Sequence, residues 1–308
     1  MKVLVLGGTG MLGSMVAKVL PDEWETLVTA RTPAPYPYEL VNTRWRRFAV
    51  DHTAWQEDLM RLADGCDWIV NCLGATKPLM VSEGAVAYTV NAHFPEVVDR
   101  LGPPVIHPST DCVFLGQPAT TISSPPYSED APVSANTQYG RSKGEGEVEL
   151  RNTTILRCSV IGPECRHPPR HLLGNVVEQS ITFGYADHLW NGLTTLAWAK
   201  ISMALMEHQT LRLLHLVPAG SCSKDRLVST ILQAFRLLWH SLEARSGEVV
   251  DTRLSTVNSG VMAYLWRAAG YDGAPTIEEL VWELADFCRA EHWPTHAEGW
   301  VYWHTSRT

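Results

Sequence analysis

Lys2-Val-Leu-Val-Leu-Gly-Gly-Thr-Gly-Met-Leu-Gly13 is the stretch that decides the fold. Val3 to Leu6 form the short, wholly apolar run expected of a strand buried on both faces of a parallel sheet. Glycines follow at 7, 10 and 13, and an amphipathic stretch runs from Met11 to Leu20. The order is strand, tight turn, helix. In that setting Gly7 permits the turn, Gly10 lets a pyrophosphate approach the backbone, and Gly13 lets helix and strand pack closely. The helix N-terminus offers its free N–H groups to the phosphates.

Working outward, similar strand-like runs recur at Glu25–Ala30, Arg47–Val50, Trp68–Asn71, Val105–Pro108 and Thr153–Arg157. Helical patterns lie between several of them, notably Ala54–Ala63 and Ser82–Leu101. Alternating strand and helix predicts an α/β fold with a Rossmann-type, doubly wound parallel sheet. After about residue 160 the pattern changes to helical periods over Leu172–Phe183, Leu196–Glu207, Lys224–Ala244 and Ile277–Glu291, with short strand candidates at Leu213–Val217 and Val249–Leu254. This predicts a smaller, mostly helical region that walls off a ligand. The expected division is a cofactor-binding domain over 1–158 plus about 192–217, and a substrate-binding region over 159–191 plus about 218–308.

Composition excludes several classes. The 308 residues are 45% hydrophobic and 19% charged, which is globular and neither disordered nor fibrous. A net charge of −8, with no basic concentration beyond Arg44-Trp45-Arg46-Arg47, argues against nucleic acid as a partner. No apolar run approaches a membrane span or a signal segment, so a soluble, cytoplasmic protein is expected, with no membrane partner. Seven cysteines without a C-x-x-C pair point to reduced thiols. Cys158, Cys165, His167 and His171 lie close in sequence, but their spacing matches no zinc pattern, and no metal is expected. Trp282, Trp293, Trp300 and Trp303 in the tail are read as core or interface packing rather than a stacking platform for bases.

The second strand ends Val28-Thr29-Ala30-Arg31, where NAD-binding versions of this fold carry a carboxylate for the ribose 2′-hydroxyl. Arg31 instead suits a 2′-phosphate, so NADP(H) is preferred over NAD(H). Further on, Tyr139-Gly-Arg-Ser-Lys143 is the only Y-x-x-x-K in the chain. Asn136-Thr137 can cap a helix through Glu149, which puts Tyr139 and Lys143 one turn apart on one face. An ammonium so placed is expected to lower the phenol pKa, and a tuned phenol can protonate a carbonyl oxygen as hydride arrives. Thr110 follows the strand Val105-Ile-His-Pro108, at the carboxyl edge where such sheets bind ligands, and its hydroxyl can donate to the same oxygen.

These residues resemble the extended short-chain dehydrogenase/reductases, and within them the dTDP-4-dehydrorhamnose reductase-like nucleotide-sugar reductases. The resemblance runs through GGTGMLG at 7–13, NCLG at 71–74, Asn91-Ala92, STDCVF at 109–114, Tyr127-Ser-Glu-Asp130, YGRSKGEGE at 139–147 and Arg157-Cys-Ser159; Trp190-Asn-Gly-Leu-Thr-Thr195 is also similar. It implies that Thr110, Tyr139 and Lys143 form a catalytic triad, with Tyr139 the general acid, Thr110 the carbonyl donor, and Lys143 the anchor of the nicotinamide ribose. It further implies that Gly10, Met11 and Leu12 bind the pyrophosphate, with Gly7, Thr9 and Gly13 also cofactor-binding, that Asp51 and His52 lie near the adenine, and that Leu73, Gly74 and Ala75 lie beside the cofactor. Asp111, with Thr110 and Tyr139, would contact the sugar.

Two positions depart from the family pattern. S-T-D-Y is here Ser109-Thr110-Asp111-Cys112, and the aromatic residue of R-x-S-W-V is Val160. Both belong to the sugar side, so a wider pocket and a different nucleotide sugar are open. The leading expectation is an NADPH-dependent reductase of a 4-keto-6-deoxy nucleotide sugar, with a homodimer left open. The alternatives are a nucleotide-sugar epimerase of the same superfamily and a non-catalytic NADP-binding regulatory subunit.

Overall fold

The computed structural model describes residues 1–31, 40, 42–50, 53–116, 125–148, 150–165, 169–207, 211–237, 240–247 and 250–293. Its centre is a seven-stranded sheet. Strands β1 (Lys2–Leu6), β2 (Glu25–Ala30), β3 (Thr43–Arg47), β4 (Trp68–Asn71), β5 (Val105–Ser109) and β6 (Thr153–Arg157) lie in the order 3-2-1-4-5-6, and the strand Leu213–His215 closes the β6 edge. Every pairing in it is parallel. The order reverses between β1 and β4, and a ligand crevice is expected beyond the carboxyl ends of those two strands.

Apolar runs rather than alternating ones make the central strands because both of their faces are covered, whereas the edge strand β3 is polar and largely exposed. Val3, Val5, Val28, Val70 and Ile106 feed one core, together with helix α1 (Met11–Val19) and the Thr195–Met206 helix. Leu4, Leu6, Leu27, Ile69 and Val105 feed the other, against Leu59 and Phe94. Each fully buried aliphatic side chain contributes about 1.5–3 kcal/mol.

Several expected elements differ in extent. The third strand is Thr43–Arg47, so residues 48–50 leave the sheet and become available to line a cavity. The expected Ser82–Leu101 helix is broken into Lys77–Ser82, Gly84–Tyr88, a π-helical turn at Thr89–His93 and Phe94–Asp99, the last with Pro95 in its first turn. The Leu172–Phe183 pattern divides into a helix, Leu172–Glu178, and a strand, Ile181–Tyr185, because β-branched and aromatic residues take over after Gln179-Ser180. The Lys224–Ala244 pattern divides likewise into the Lys224–Ala234 helix and the strand Ser241–Arg245, with Arg236 at φ 58° turning the chain between them. Those two strands pair, and His188–Trp190 sits between Cys222–Ser223 and Val250–Asp251. Helices still dominate the second half.

A buried polar joint links the two halves. Arg157, at the end of β6, forms a buried ion pair with Glu147 and stacks over Phe114. It also donates to His215 Nε2 at 3.3 Å, while His215 Nδ1 faces the Ser255 carbonyl at 2.9 Å. Two carbonyl-side contacts and one guanidinium fix the proton of this neutral imidazole on Nδ1. Glu129 completes the joint, accepting from the His215 backbone N–H, Thr256 Oγ1 and the Val257 N–H. Of the tail tryptophans, Trp293 is buried and Trp282 is exposed, whereas Trp300 and Trp303 lie outside the described residues. No helix among the described residues is long and apolar enough to cross a membrane.

Candidate active site

The turn after β1 leaves no room for a side chain at Gly8 or Gly13. Gly7 has φ +79°, and its N–H donates to Thr29 Oγ1 at 3.0 Å. A Cβ on Gly13 would stand 2.4 Å from the Gly7 carbonyl oxygen, and one on Gly8 would stand 2.0 Å from Val28 Cγ1. Gly8 was not among the residues singled out from spacing; its neighbour in the Gly7-Gly8 doublet was the available signal. Gly10 is extended and caps α1 without a side-chain hydrogen bond, and no acidic residue occupies the first turn. The N–H groups there are therefore available to an anion.

Two connected cavities open from this turn. The first, about 510 Å³, is lined by Gly7, Thr9, Gly10, Arg31, the 48–50 segment and residues 72–75, together with Glu83. The second, about 380 Å³, shares Gly10 and residues 72–75 and adds Met11, Leu12, Thr110, Asp111, Tyr139 and Lys143. The expected cradle, cofactor-side and catalytic residues thus share one crevice at the switch point. Asp51 and His52 lie outside the described residues. Arg31 reaches the rim, half exposed, with Nη1 3.7 Å from Glu83 Oε2. Glu83 and the wall at residues 48–50 carried no sequence signal, because neither belongs to a motif.

The catalytic end is built from β5 and one short helix. Thr137 caps the Gln138–Glu145 helix by accepting from the Gly140 N–H at 3.1 Å, and Tyr139 and Lys143 lie one turn apart on that helix. A Cβ on Gly140 would meet the Cys112 carbonyl oxygen at 2.1 Å, so the helix can sit directly against the Thr110 loop. Asn91 fixes the opposite wall. It accepts from the Ala75 N–H at 2.8 Å and donates to the Ala75 carbonyl at 3.0 Å and to Ser142 Oγ at 3.1 Å.

Thr110 Oγ1 accepts from the Cys112 N–H at 3.1 Å, lies 3.0 Å from Asp111 Oδ1, and meets the Tyr139 phenol. Burial pushes the Tyr139 phenol up, reinforced by the nearby Cys112 and Asp111, while the Thr110 contact opposes it. The expectation that Lys143 lowers this phenol is not met. Lys143 Nζ instead donates to the Pro108 carbonyl at 2.8 Å and lies 3.3 Å from His107 Nε2, and burial brings its own pKa down to about 8. A lysine held this way lends little positive charge to the phenol.

Cys112 and Val160 both line the second cavity, as do Arg170 and His171. His171 Nδ1 pairs with the buried Glu164 at 2.8 Å, and Glu164 also accepts from the Arg170 and His171 N–H groups. His167 lies outside the described residues, and among those described no three His, Cys, Asp or Glu side chains gather as a metal set.

A family model described as the RmlD substrate binding domain matches residues 1–253. Over 157 residues the chain is 32% identical to a zebrafish (Danio rerio) protein named methionine adenosyltransferase 2 subunit beta; the match covers 48% of this chain and 43% of that one. The chain therefore spans less than half the length of this curated relative. Among solved structures, a Bacillus anthracis dTDP-4-dehydrorhamnose reductase in complex with NADP superimposes with a TM-score of 0.66 at 18% identity, covering 92% of this chain and 98% of that one. A dTDP-glucose 4,6-dehydratase from the same organism, in complex with NAD, gives 0.69 at 15% identity, over 95% and 98%. At these identities the likeness establishes the shared Rossmann-like fold.

Proposed function

Because the chain belongs to the family of the RmlD substrate binding domain, we propose that it is an NADPH-dependent reductase of a 4-keto-6-deoxy nucleotide sugar. The convergence of Thr110, Tyr139 and Lys143 on a cavity continuous with the glycine turn carries the proposal. A nicotinamide dinucleotide fits the residues present: the turn excludes a Cβ at Gly8 and Gly13 and leaves Gly10 open to a close approach, and the first-turn N–H groups of α1 have no side-chain cap. In this proposal residues 1–158 plus about 192–217 hold the cofactor, and 159–191 plus about 218–308 cover the sugar.

Met11 and Leu12 then hold the pyrophosphate through backbone N–H groups, Gly10 lets it approach the backbone, and Gly7, Thr9 and Gly13 shape the turn. Arg31 meets the 2′-phosphate, Asp51 and His52 border the adenine, and residues 73–75 flank the cofactor. A bound reduced nicotinamide supplies hydride to the ketone carbon. Tyr139 gives its phenolic proton to the ketone oxygen, and its burial keeps that proton in place at neutral pH. Thr110 turns its one hydroxyl proton from Asp111 Oδ1 to the same oxygen, and the carboxylate oxygen released takes a sugar hydroxyl. Lys143 holds the nicotinamide ribose. Cys112 and Val160 leave space at the sugar end, which favours a bulkier or differently substituted sugar than a pocket lined by two rings would admit.

The decisive measurement is NADPH oxidation with a panel of 4-keto nucleotide sugars, comparing wild type with Tyr139→Phe. Turnover with at least one sugar, and a loss of about 10²–10⁴-fold in the variant, is expected. Interconversion of sugars without net NADPH consumption would mark an epimerase instead. A non-catalytic NADP-binding subunit is the second possibility, favoured by the subunit name of the zebrafish relative; it is the outcome if NADPH binds and no sugar is turned over.

A further inference from the structure

Behind the catalytic helix, Lys143 is backed by two buried polar residues, Asn71 and His107, that the proposed reaction does not use. Asn71 ends β4, His107 lies in β5, and Lys143 rises from the helix above them, all almost fully buried. Asn71 Oδ1 accepts from the Leu73 N–H at 3.2 Å, which fixes the orientation of the amide. Its Nδ2 therefore faces His107 Nδ1, at 3.1 Å. An amide NH₂ can only donate, so Nδ1 must be the bare nitrogen of the ring. Burial keeps His107 neutral. Its one ring proton then sits on Nε2, which is the nitrogen 3.3 Å from Lys143 Nζ.

An Nε2–H facing an ammonium sets donor against donor. The contact is satisfied when Nζ is an amine, accepting from Nε2–H through its lone pair while still donating to the Pro108 carbonyl at 2.8 Å. We propose that His107, with its tautomer fixed by Asn71, is a positioning residue that sets the protonation state of Lys143 by donating to it from Nε2–H.

Burial also favours the amine, but none of the other charged or titratable groups around Lys143 adds to that bias. Glu147, beyond the same helix, acts in the opposite sense and is held by Arg157. Tyr139 on the helix, Cys112 in the Thr110 loop and Cys158 after β6 all have their pKa pushed up by burial and stay neutral near pH 7. Asp111 borders the same cavity but spends its carboxylate on the Thr110 and Thr252 hydroxyls. His215, the other buried histidine of the sheet, has the opposite tautomer, because carbonyl oxygens face its Nδ1. The consequence for the reductase proposal, on which this part rests, is that the ribose contact of Lys143 switches between amine and ammonium close to neutral pH.

The chain has only six lysines, so their ¹³Cε resonances can be followed one by one in lysine-labelled protein, with Lys143 assigned by its absence in Lys143→Arg. The wild-type Lys143 resonance should titrate near pH 8. Asn71→Leu frees the ring to move its proton to Nδ1 and let Nε2 accept from the ammonium, with no change of charge. His107→Gln offers the ammonium a carbonyl oxygen. Each should raise the midpoint by at least one pH unit, tenfold in proton affinity. The alkaline weakening of NADPH binding, read by fluorescence, should move with it. A wild-type midpoint at the ordinary lysine value of ~10.4, or a midpoint unmoved in Asn71→Leu, would overturn the proposal. The titration reads Lys143 whether or not any sugar is reduced, so it fails independently of the reductase assignment.

Discussion

The Thr252 hydroxyl donates to Asp111 Oδ2 at 2.7 Å, across 141 residues of chain. The loop that carries Thr110 is thereby fastened to the second half of the molecule rather than only to β5. Thr252→Val removes a hydrogen bond to a carboxylate, worth about 1.5–3 kcal/mol. Urea midpoints should fall accordingly, and turnover of the sugar should fall with them. NADPH affinity should stay as in wild type, because neither residue lines the first cavity. A variant that loses NADPH binding in parallel would show that the fastening shapes the whole crevice.

The glycines of the first turn separate stability from cofactor approach. Gly13→Ala drives a Cβ to 2.4 Å from the fixed Gly7 carbonyl oxygen, so helix α1 must move away from β1. Overpacking of this kind costs about 1–3 kcal/mol. Gly10→Ala meets the same oxygen at 3.2 Å, a contact the backbone can absorb, but it fills the surface a pyrophosphate would approach. The expected pattern is a clear fall in thermal midpoint for Gly13→Ala, and a near-native midpoint with NADPH affinity reduced at least about tenfold for Gly10→Ala.

Arg31 and Glu83 share the rim of the first cavity, and their exposed pair is worth little to stability. Its role in choosing between dinucleotides is larger. Arg31→Ala should weaken NADPH binding about tenfold or more, and leave NADH nearly unchanged. Glu83→Gln should tighten NADPH, because a carboxylate beside a 2′-phosphate repels it. Fluorescence titration with both cofactors checks each; equal losses for NADH and NADPH in Arg31→Ala would remove the arginine from the 2′-phosphate site.

The legible parts of the fold were those where one local rule acts alone. The 2–13 stretch could be read because strand, turn and helix chemistry agree within twelve positions, and Thr137 capped its helix as its residue type suggested. Ile181–Tyr185 was hidden because Leu172, Leu173, Val176 and Val177 set a helical period that ran straight into it, and its partner Ser241–Arg245 is sixty residues away. His107 was silent for a different reason. A single histidine in a strand has no spacing to read, and its tautomer depends on where Asn71 and Leu73 fall in space. The lowering of Tyr139 by Lys143 was expected from helical spacing alone, which cannot tell which way an ammonium turns.

Acid should loosen the joint between the halves in two steps with different origins. Burial lowers the pKa of His215, so the unfolded chain takes up a proton that the folded one refuses, and stability falls as the pH drops through the ordinary histidine value of 6.5. Burial works to raise the pKa of Glu129, but hydrogen bonds from Thr256, His215 and Val257 together outweigh it and hold the carboxyl below its ordinary value of 4.5. Its contribution is complete above that value and is lost as the pH falls through the depressed folded-state value. Glu129→Gln removes the second step but leaves the first. Urea midpoints measured from pH 8 to pH 3 should therefore run parallel for wild type and variant down to about pH 5, with the variant lower, and converge below it. Parallel curves over the whole range would mean that Glu129 titrates alike in both states and that its three hydrogen bonds contribute nothing to acid stability.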